Sequence, residues 1–475
     1  MAEKKSNGFR TFLLILTTII LAGVFGFAAY LVLVPNSSLF GLRYLSNTDK
    51  IVIEKVDNEL LEFSDYSKIV VNANGGKGHT HIQVNYDNPT GIVNSQIRLI
   101  EDTKGFTRVG FADDYTISAV KNGSTLTITI TEPEYNFLQL ANQTVLQLNV
   151  YQYDSISGAT LELSTGSGSV TLGGKSTTTG FALDTTTGSV DVKTTSGAIV
   201  LTENLQVTSS ASLVSETGQI DIPGVVDDNP ANNRTIPSVS LKSNTGKINA
   251  SDLSGNITLK SYNSKITLGN IVGNVDVDME SGILNLGNIN GNLVSENHLL
   301  YTTVKAGTVS GDVTLVNDDG NFAVDIKAAK GDVAIRGGNK GVKLGAVYGT
   351  CTVQTINGAI DVTKVDTNSN DLLLKTTGAG AIYLSTAKVL GDGSLTIAGS
   401  KLLGDNQATT QNGGIVLRFG SESAFNLKAQ SVNGRVYRAW LDSYQNPVDA
   451  AVGAEHSSNT VNLTTINGQI RVERA

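Results

Sequence analysis

Between Gly246 and Leu293 one short phrase, glycine-any-aliphatic-any-aliphatic, returns at nine-residue intervals. Its copies are Gly246-Lys-Ile248, Gly255-Asn-Ile257-Thr-Leu259, Ser264-Lys-Ile266-Thr-Leu268, Gly273-Asn-Val275-Asp-Val277, Gly282-Ile-Leu284-Asn-Leu286 and Gly291-Asn-Leu293. Side chains of a strand alternate faces with period two, so each copy points two aliphatic residues the same way. Such a unit cannot bury its apolar face alone. Stacking on its neighbours does so, and a repetition of this kind predicts a solenoid. Glycine leads each phrase because the chain must turn with positive φ or pass close to the next coil.

Less regular copies carry the phrase outward in both directions. Upstream stand Gly168-Ser-Val170-Thr-Leu172, Gly188-Ser-Val190-Asp-Val192, Gly197-Ala-Ile199-Val-Leu201 and Gly218-Gln-Ile220-Asp-Ile222. Downstream, Gly311, Gly331, Gly358, Gly414, Gly434 and Gly468 open further copies. Two phrases make one flattened coil of about 18–22 residues. Residues 156–475 then hold roughly 13–16 coils and, at about 4.8 Å per coil, form a rod of about 60–75 Å. With 40% apolar residues the chain has material for a continuous core despite its 50 glycines, and aromatics at 6% predict a narrow, aliphatic interior.

Residues 11–34 are an uncharged apolar run, long enough at about 1.5 Å per residue to cross a bilayer. Lys4, Lys5 and Arg10 precede it, which predicts a cytoplasmic tail at 1–10 and a chain whose bulk lies outside the cell membrane. The run is longer than the apolar core of a secretory signal, about 7–15 residues. An uncleaved single-pass anchor is therefore expected over a cleaved signal peptide, although Gly26-Phe-Ala28 has the small-x-small form of a cleavage site. Residues 35–50 read as a neck. Residues 51–155 read as a strand-rich, sandwich-like module with longer alternating stretches, which caps the open strand edge of the first coil. The expected fold is all-β: one transmembrane helix, a small sandwich-like module, then a long parallel β-solenoid.

The chain carries a net charge of −8, which opposes a nucleic-acid partner, since that role wants a basic stripe. Cys351 is the single cysteine, on an alternating stretch, and reads as a buried strand residue rather than a nucleophile. Gly173-Gly174-Lys175-Ser176 lacks the first glycine of a phosphate loop, Ser169 standing in its place, and reads as a turn; no cofactor is expected. His79 and His81 would share one face of a strand but read as a surface pair without metal. Asp227-Asp228 and Asp318-Asp319-Gly320 read as solvated turn carboxylates rather than Ca²⁺ ligands. Asp276, Asp278, Asp325, Asp332 and Asp361 take outward positions between buried aliphatics. They would serve a polysaccharide-cutting site only if the coil register aligned them, and the chain reads as no enzyme.

The phrases Ser-Thr-Gly166-Ser-Gly168-Ser-Val170-Thr-Leu172, Thr-Thr-Thr-Gly188-Ser-Val190-Asp-Val192 and Ser-Asn-Thr-Gly246-Lys-Ile248 resemble the bacterial putative-adhesin family of cell-envelope proteins. The resemblance runs from about residue 51 to the last residue. It implies a β-solenoid on the cell-surface side behind one membrane anchor, and brings no catalytic motif. The expected role is that of an adhesin or surface-display rod; an envelope sensor or scaffold binding a wall polymer or membrane partner is the alternative. Recognition of a surface glycan or protein is expected where the phrase breaks, as at 223–237 and 439–459. The densest aromatic-cationic cluster of the distal half is Arg435, Tyr437, Arg438, Trp440 and Tyr444, which reads equally as an exposed binding patch or as a plug over the distal end.

Overall fold

The computed structural model describes residues 7–34, 37–74, 79–85, 93–110, 114–133, 137–151, 154, 156, 158–173, 183–185, 188–202, 204–207, 209–226, 237–296, 298–365, 372–378, 382–385, 405–419, 424–453 and 459–474. Lys175, Asp227, Asp228 and His456 lie outside the described residues.

The apolar run forms helix α1, Asn7–Leu33. Among the described residues it is the one helix long and apolar enough to cross a membrane, 24 residues at a mean hydropathy of 2.5. Thr17 and Thr18 return their hydroxyls to the carbonyls of Leu13 and Leu14 at 2.7 and 2.8 Å, so neither adds an unmet donor to an apolar surrounding.

The body is one stack of parallel rungs. On its first face sixteen strands succeed one another, from Thr125–Thr131 through Lys68–Ala73 and Thr160–Thr165 to Thr460–Thr465 and Phe425–Ser431. At about 4.8 Å per rung this face is about 72 Å long. Successive phrases alternate between this face and a second one. Ile257 pairs with Val275 and Ile266 with Leu284, each eighteen residues on, so one coil is two phrases. A third, shorter face runs through Leu205, Val225, Leu253, Ile271, Ile289, Val309, Ala329 and Val347, which follow one another. There the coil is three-sided rather than flattened, because these extra aliphatics turn inward as well. The interior is one continuous aliphatic core from Val56 to Val472.

Two columns explain the punctuation of the repeat. Gly255, Gly273, Gly291, Gly311, Gly331 and Gly349 lie above one another, and a Cβ on Gly273 would fall 2.0 Å from the carbonyl oxygen of Gly255. No side chain fits between rungs that approach so closely. At the second kind of turn a Ser or Thr three residues before the glycine points inward. The Ser215 Oγ and Ser243 Oγ accept from the N–H groups of Gly218 and Gly246 and donate to the carbonyls of Gly197 and Gly218 in the preceding coil. These buried hydroxyls fasten turn to turn without leaving a polar group unpaired. Outside, each residue after the glycine column accepts the next rung's amide: Asn256 from Asn274, Asn274 from Asn292, Asn292 from Asp312, Asp312 from Asp332 and Asp332 from Thr350, at 2.8–3.3 Å.

Three expected boundaries shift. The stack does not begin at 156. Lys68–Ala73 and His81–Asn85 are already rungs, parallel to Thr160–Thr165 and Val170–Leu172, so the 51–155 module shares the solenoid's core. The expected neck at 35–50 contains strand, not linker: Leu42–Ile53 pairs antiparallel with Gln96–Arg108, which pairs antiparallel with Phe137–Asn149. The loop expected at 223–237 begins later, since Pro223 lies within strand Ile220–Val226, whose Val225 packs inward opposite Leu253.

Both ends of the rod finish in the same way. Thr116–Asn122 covers the first rung antiparallel, and Val448–Val452 covers Phe425–Ser431 antiparallel at the far end. At the far end the chain order is also broken. The last strands, Thr460–Thr465 and Ile470–Arg474, lie between the rungs Asp405–Thr410/Ile415–Phe419 and the terminal rungs Phe425–Ser431/Val436–Arg438.

Candidate functional site

That insertion builds the distal site. Val436–Arg438 lies beside Ile470–Arg474 with Tyr437 opposite Arg471, and Ser443–Tyr444 folds back so that Tyr444 stands opposite Tyr437. Alternation turns Val436 and Val472 into the core and Tyr437 and Arg471 out. The two tyrosine rings lie 4.8 Å apart, with the Arg435 guanidinium 5.7 Å from the Tyr444 ring and that of Arg471 5.6 Å from the Tyr437 ring. Tyr437 Oη donates to Asp442 Oδ1 at 2.7 Å, and that bond to a carboxylate holds its phenol above the ordinary tyrosine range. Asp442 reaches this position from a left-handed backbone conformation, φ 47°. Glu473 sits beside this patch. Burial pushes its carboxyl up, but hydrogen bonds from Arg418 and Arg471 outweigh that and leave it below the usual carboxylate range.

Of the five residues singled out in the sequence, exposed Arg435 and Tyr444 and half-buried Tyr437 come together in this outward-facing stack. Trp440 does not join them. It lies edge-on to Phe419 with ring centroids 5.5 Å apart, packed on the core in the short helix Ala439–Leu441. Arg438, half-buried, pairs in register with Val472 and Ser443 rather than facing the tyrosines. The cluster is thus a plug and a patch at once, divided by the strand's alternation. Arg471 is the member that sequence reasoning missed. Its signal was present, an outward arginine in Gly468-Gln-Ile470-Arg-Val472, but the pairing that brings it to Tyr437 skips a coil in the chain order.

The other candidates resolve into rungs and turns. Lys305, Asp325, Lys343 and Asp361 stand opposite one another on successive rungs, so the two aspartates alternate with lysines rather than with each other. Asp332 belongs to the amide-accepting ladder. Asp318 pairs with Arg336 at 2.5 Å, and the N–H of Asp319 donates to Asn317 Oδ1 within the same turn. His79 and His81 each place Nδ1 on the serine of the next rung, Ser167 and Ser169; burial, with His79 adding to it, holds the His81 imidazole below its usual range. Among the described residues no group of three or more His, Cys, Asp and Glu side chains is placed to hold a metal. Cys351 is fully buried, which pushes its thiol up to about 12.

Asp276 and Asp278 do meet other polar groups. With Lys260, Glu296 and His298 they line an open groove of about 570 Å³ across three coils. Asp278 lies 3.8 Å from Lys260 Nζ and 3.5 Å from His298 Nδ1.

A long apolar helix followed by a capped, three-sided stack of glycine-led rungs defines a β-solenoid. The Toastrack DUF4097 family model matches residues 64–352, and the chain belongs to that family. No curated protein matches it. Among solved structures it is similar to a putative cell adhesion protein from Clostridium sporogenes ATCC 15579, at 9% identity over 90% of this chain and 100% of that one, with a TM-score of 0.16. It is also similar to a putative adhesin from Parabacteroides distasonis ATCC 8503, at 12% identity over 91% and 97% with a TM-score of 0.17. A putative lipid binding protein from the same organism matches at 10% identity over 90% and 96%, also with a TM-score of 0.17.

Proposed function

We propose that the protein is a non-enzymatic surface rod, held in the cell membrane by α1, whose distal end recognises a surface glycan or protein in an adhesin-like role. The observation that supports this most directly is the placement of the outward-facing Tyr437–Tyr444–Arg435–Arg471 stack on the terminal rungs, at the end opposite α1. Paired tyrosine faces with guanidinium groups over them suit stacking on a sugar ring or an aromatic side chain. Of the carboxylates that a polysaccharide-cutting site could use, Asp332 is taken by the amide ladder and Asp325 and Asp361 stand opposite lysines on neighbouring rungs, which supports binding over catalysis. The test is binding of the detergent-solubilised full chain to glycan and envelope-protein arrays, beside a Tyr437→Ala/Tyr444→Ala variant. Binding that the variant loses while keeping its protease-resistant body supports the reading. Equal binding by both refutes the distal site.

A second reading rests on the groove at Asp276, Asp278 and Glu296. Its span across three coils suits an extended, hydroxyl-rich polymer laid along the rod. It takes precedence if Asp278→Ala, rather than the tyrosine variant, abolishes binding.

A further inference from the structure

The strand Leu42–Ile53 enters through a tight turn in which Phe40 and Gly41 both take positive φ, 50° and 76°. Phe40 is 90% exposed, and no packing in the body rewards an aromatic residue in that backbone region. Leu39 and Leu42 flank it, Val109 joins the turn through its N–H to the Gly41 carbonyl at 3.0 Å, and Leu138 stands a few residues back on the third strand. All four are exposed. Arg43 and Arg108 follow immediately behind this apolar tip, and behind them Tyr44 and Phe106 pack edge-on with centroids 5.3 Å apart. Going back from the turn, the order is apolar, cationic, then aromatic, with Leu138 at the level of the aromatic pair.

The helix fixes the level of that tip. α1 is exposed along the described part of its length except for Phe27 and Ala28, half-buried, and Leu31, 2% exposed. Residues 27 and 31 are one turn apart on one face, the face turned to the body. The Phe27 and Phe40 rings lie 6.0 Å apart. The 24 residues Arg10–Leu33 rise about 36 Å against a hydrocarbon core of about 30 Å, which leaves about 3 Å over at each side. Phe27, six residues before Leu33, then sits about 6 Å inside the hydrocarbon boundary. Phe40, in contact with it, lies within about one ring's width of that level.

We propose that the Phe40–Gly41 turn, with Leu39, Leu42 and Val109 beside it, is a second membrane contact, seated in lipid at the headgroup–acyl boundary next to α1. This rests on the reading of α1 as a membrane span. The occupant of the patch is lipid rather than another protein, because the patch is continuous with the apolar surface of the helix and at its depth. Arg43 and Arg108 come to the level of lipid phosphates, and Tyr44 with Phe106 to the interfacial zone where aromatic residues collect. Two contacts, helix and tip, fix the rod's tilt, whereas a helix alone leaves it free.

The test uses the full chain in phospholipid vesicles, in a Cys351→Ala background, with an environment-sensitive fluorophore on Phe40→Cys, Phe27→Cys or Val272→Cys, the last on the exposed solenoid surface. The expected result is blue-shifted emission and quenching by lipid-borne nitroxide at 27 and 40, and neither at 272. A probe at 40 that meets aqueous quencher while the probe at 27 stays in lipid overturns the second contact and leaves the anchor standing. A probe at 40 shielded from both quenchers means that protein covers the turn, which also overturns it. A probe at 27 open to water removes the membrane span itself, and the proposal with it.

Discussion

Replacing Gly273 by alanine tests the physical basis of the repeat at one atom. Two costs add. The native φ of +137° is a region that only glycine enters freely, and holding an alanine there costs about 1–3 kcal/mol. The new methyl would also stand 2.0 Å from the Gly255 carbonyl oxygen, whereas ordinary contact begins at 3.4 Å, so the rungs must part by about 1.4 Å. Parting them stretches the bonds from Gly255 N–H to the Val272 carbonyl and from Ile257 N–H to the Asn274 carbonyl, 2.9 and 2.8 Å long, each worth about 1 kcal/mol. The sum is about 3–5 kcal/mol, placed on rungs that touch only their neighbours. Amide hydrogen exchange reads it locally: the amides of 255–293 should exchange about 10²- to 10⁴-fold faster, with those of 68–73 unchanged. Gly123→Ala is the control, because Gly123 also has positive φ, +60°, but nothing within 4 Å of a new Cβ. It should cost only about 1–2 kcal/mol. If Gly273→Ala speeds exchange no more than Gly123→Ala does, close approach of the rungs is not what selects the glycine column.

Four further outcomes follow from the same geometry. Ile257→Asp buries an unpaired carboxylate at a site 1% exposed and should cost several kcal/mol, seen as new protease cleavage in the middle of the rod; an unchanged digestion pattern contradicts the inward assignment. Asn292→Ala removes the acceptor of the Asp312 amide at 2.8 Å, and about 0.5–1.5 kcal/mol with it, so exchange at Asp312 should quicken while thermal unfolding barely moves. Cys351 should resist thiol reagents at pH 8 and react fully in denaturant. Because burial raises its folded pKa to about 12 from 9.0, its contribution to stability is complete below about pH 9 and falls away as pH rises toward 12, which alkaline melting curves would show. Glu473 has the opposite sign. Its depressed carboxyl supports folding above the ordinary carboxylate range and stops doing so as pH falls through its lowered value, so exchange of the Ile470–Arg474 amides should quicken in acid first.

The strands and their inward residues were legible because the rule behind them is local. Alternation in Gly273-Asn-Val275-Asp-Val277 names Val275 and Val277 as core without reference to any partner, and both are fully buried. The buried thiol of Cys351 followed from the same alternation. The inward hydroxyl of the Ser-x-x-Gly turn went unread, although Ser215, Ser243, Ser431 and Thr465 all show the spacing. A serine near a glycine looks like any solvated turn until a second coil closes over it. Pro223 misled because proline usually marks a loop, whereas here it lies in a strand.

The chain by itself determined the period, the parallel stack, the apolar helix and the identity of the core, since each depends on residues within one or two phrases of each other. Tertiary structure alone decided the order of the rungs at the ends. The copies are interchangeable in their local chemistry, so nothing in Ile470-Arg-Val472 states that it pairs with Val436–Arg438 as well as with Ile415–Phe419. That choice is made by burial of strand edges across the whole stack, and it brings Arg471 to Tyr437 to complete the distal patch. The contact of Phe40 with Phe27 was decided in the same way, by how a three-stranded sheet packs against a helix that the sequence placed beside it but could not orient.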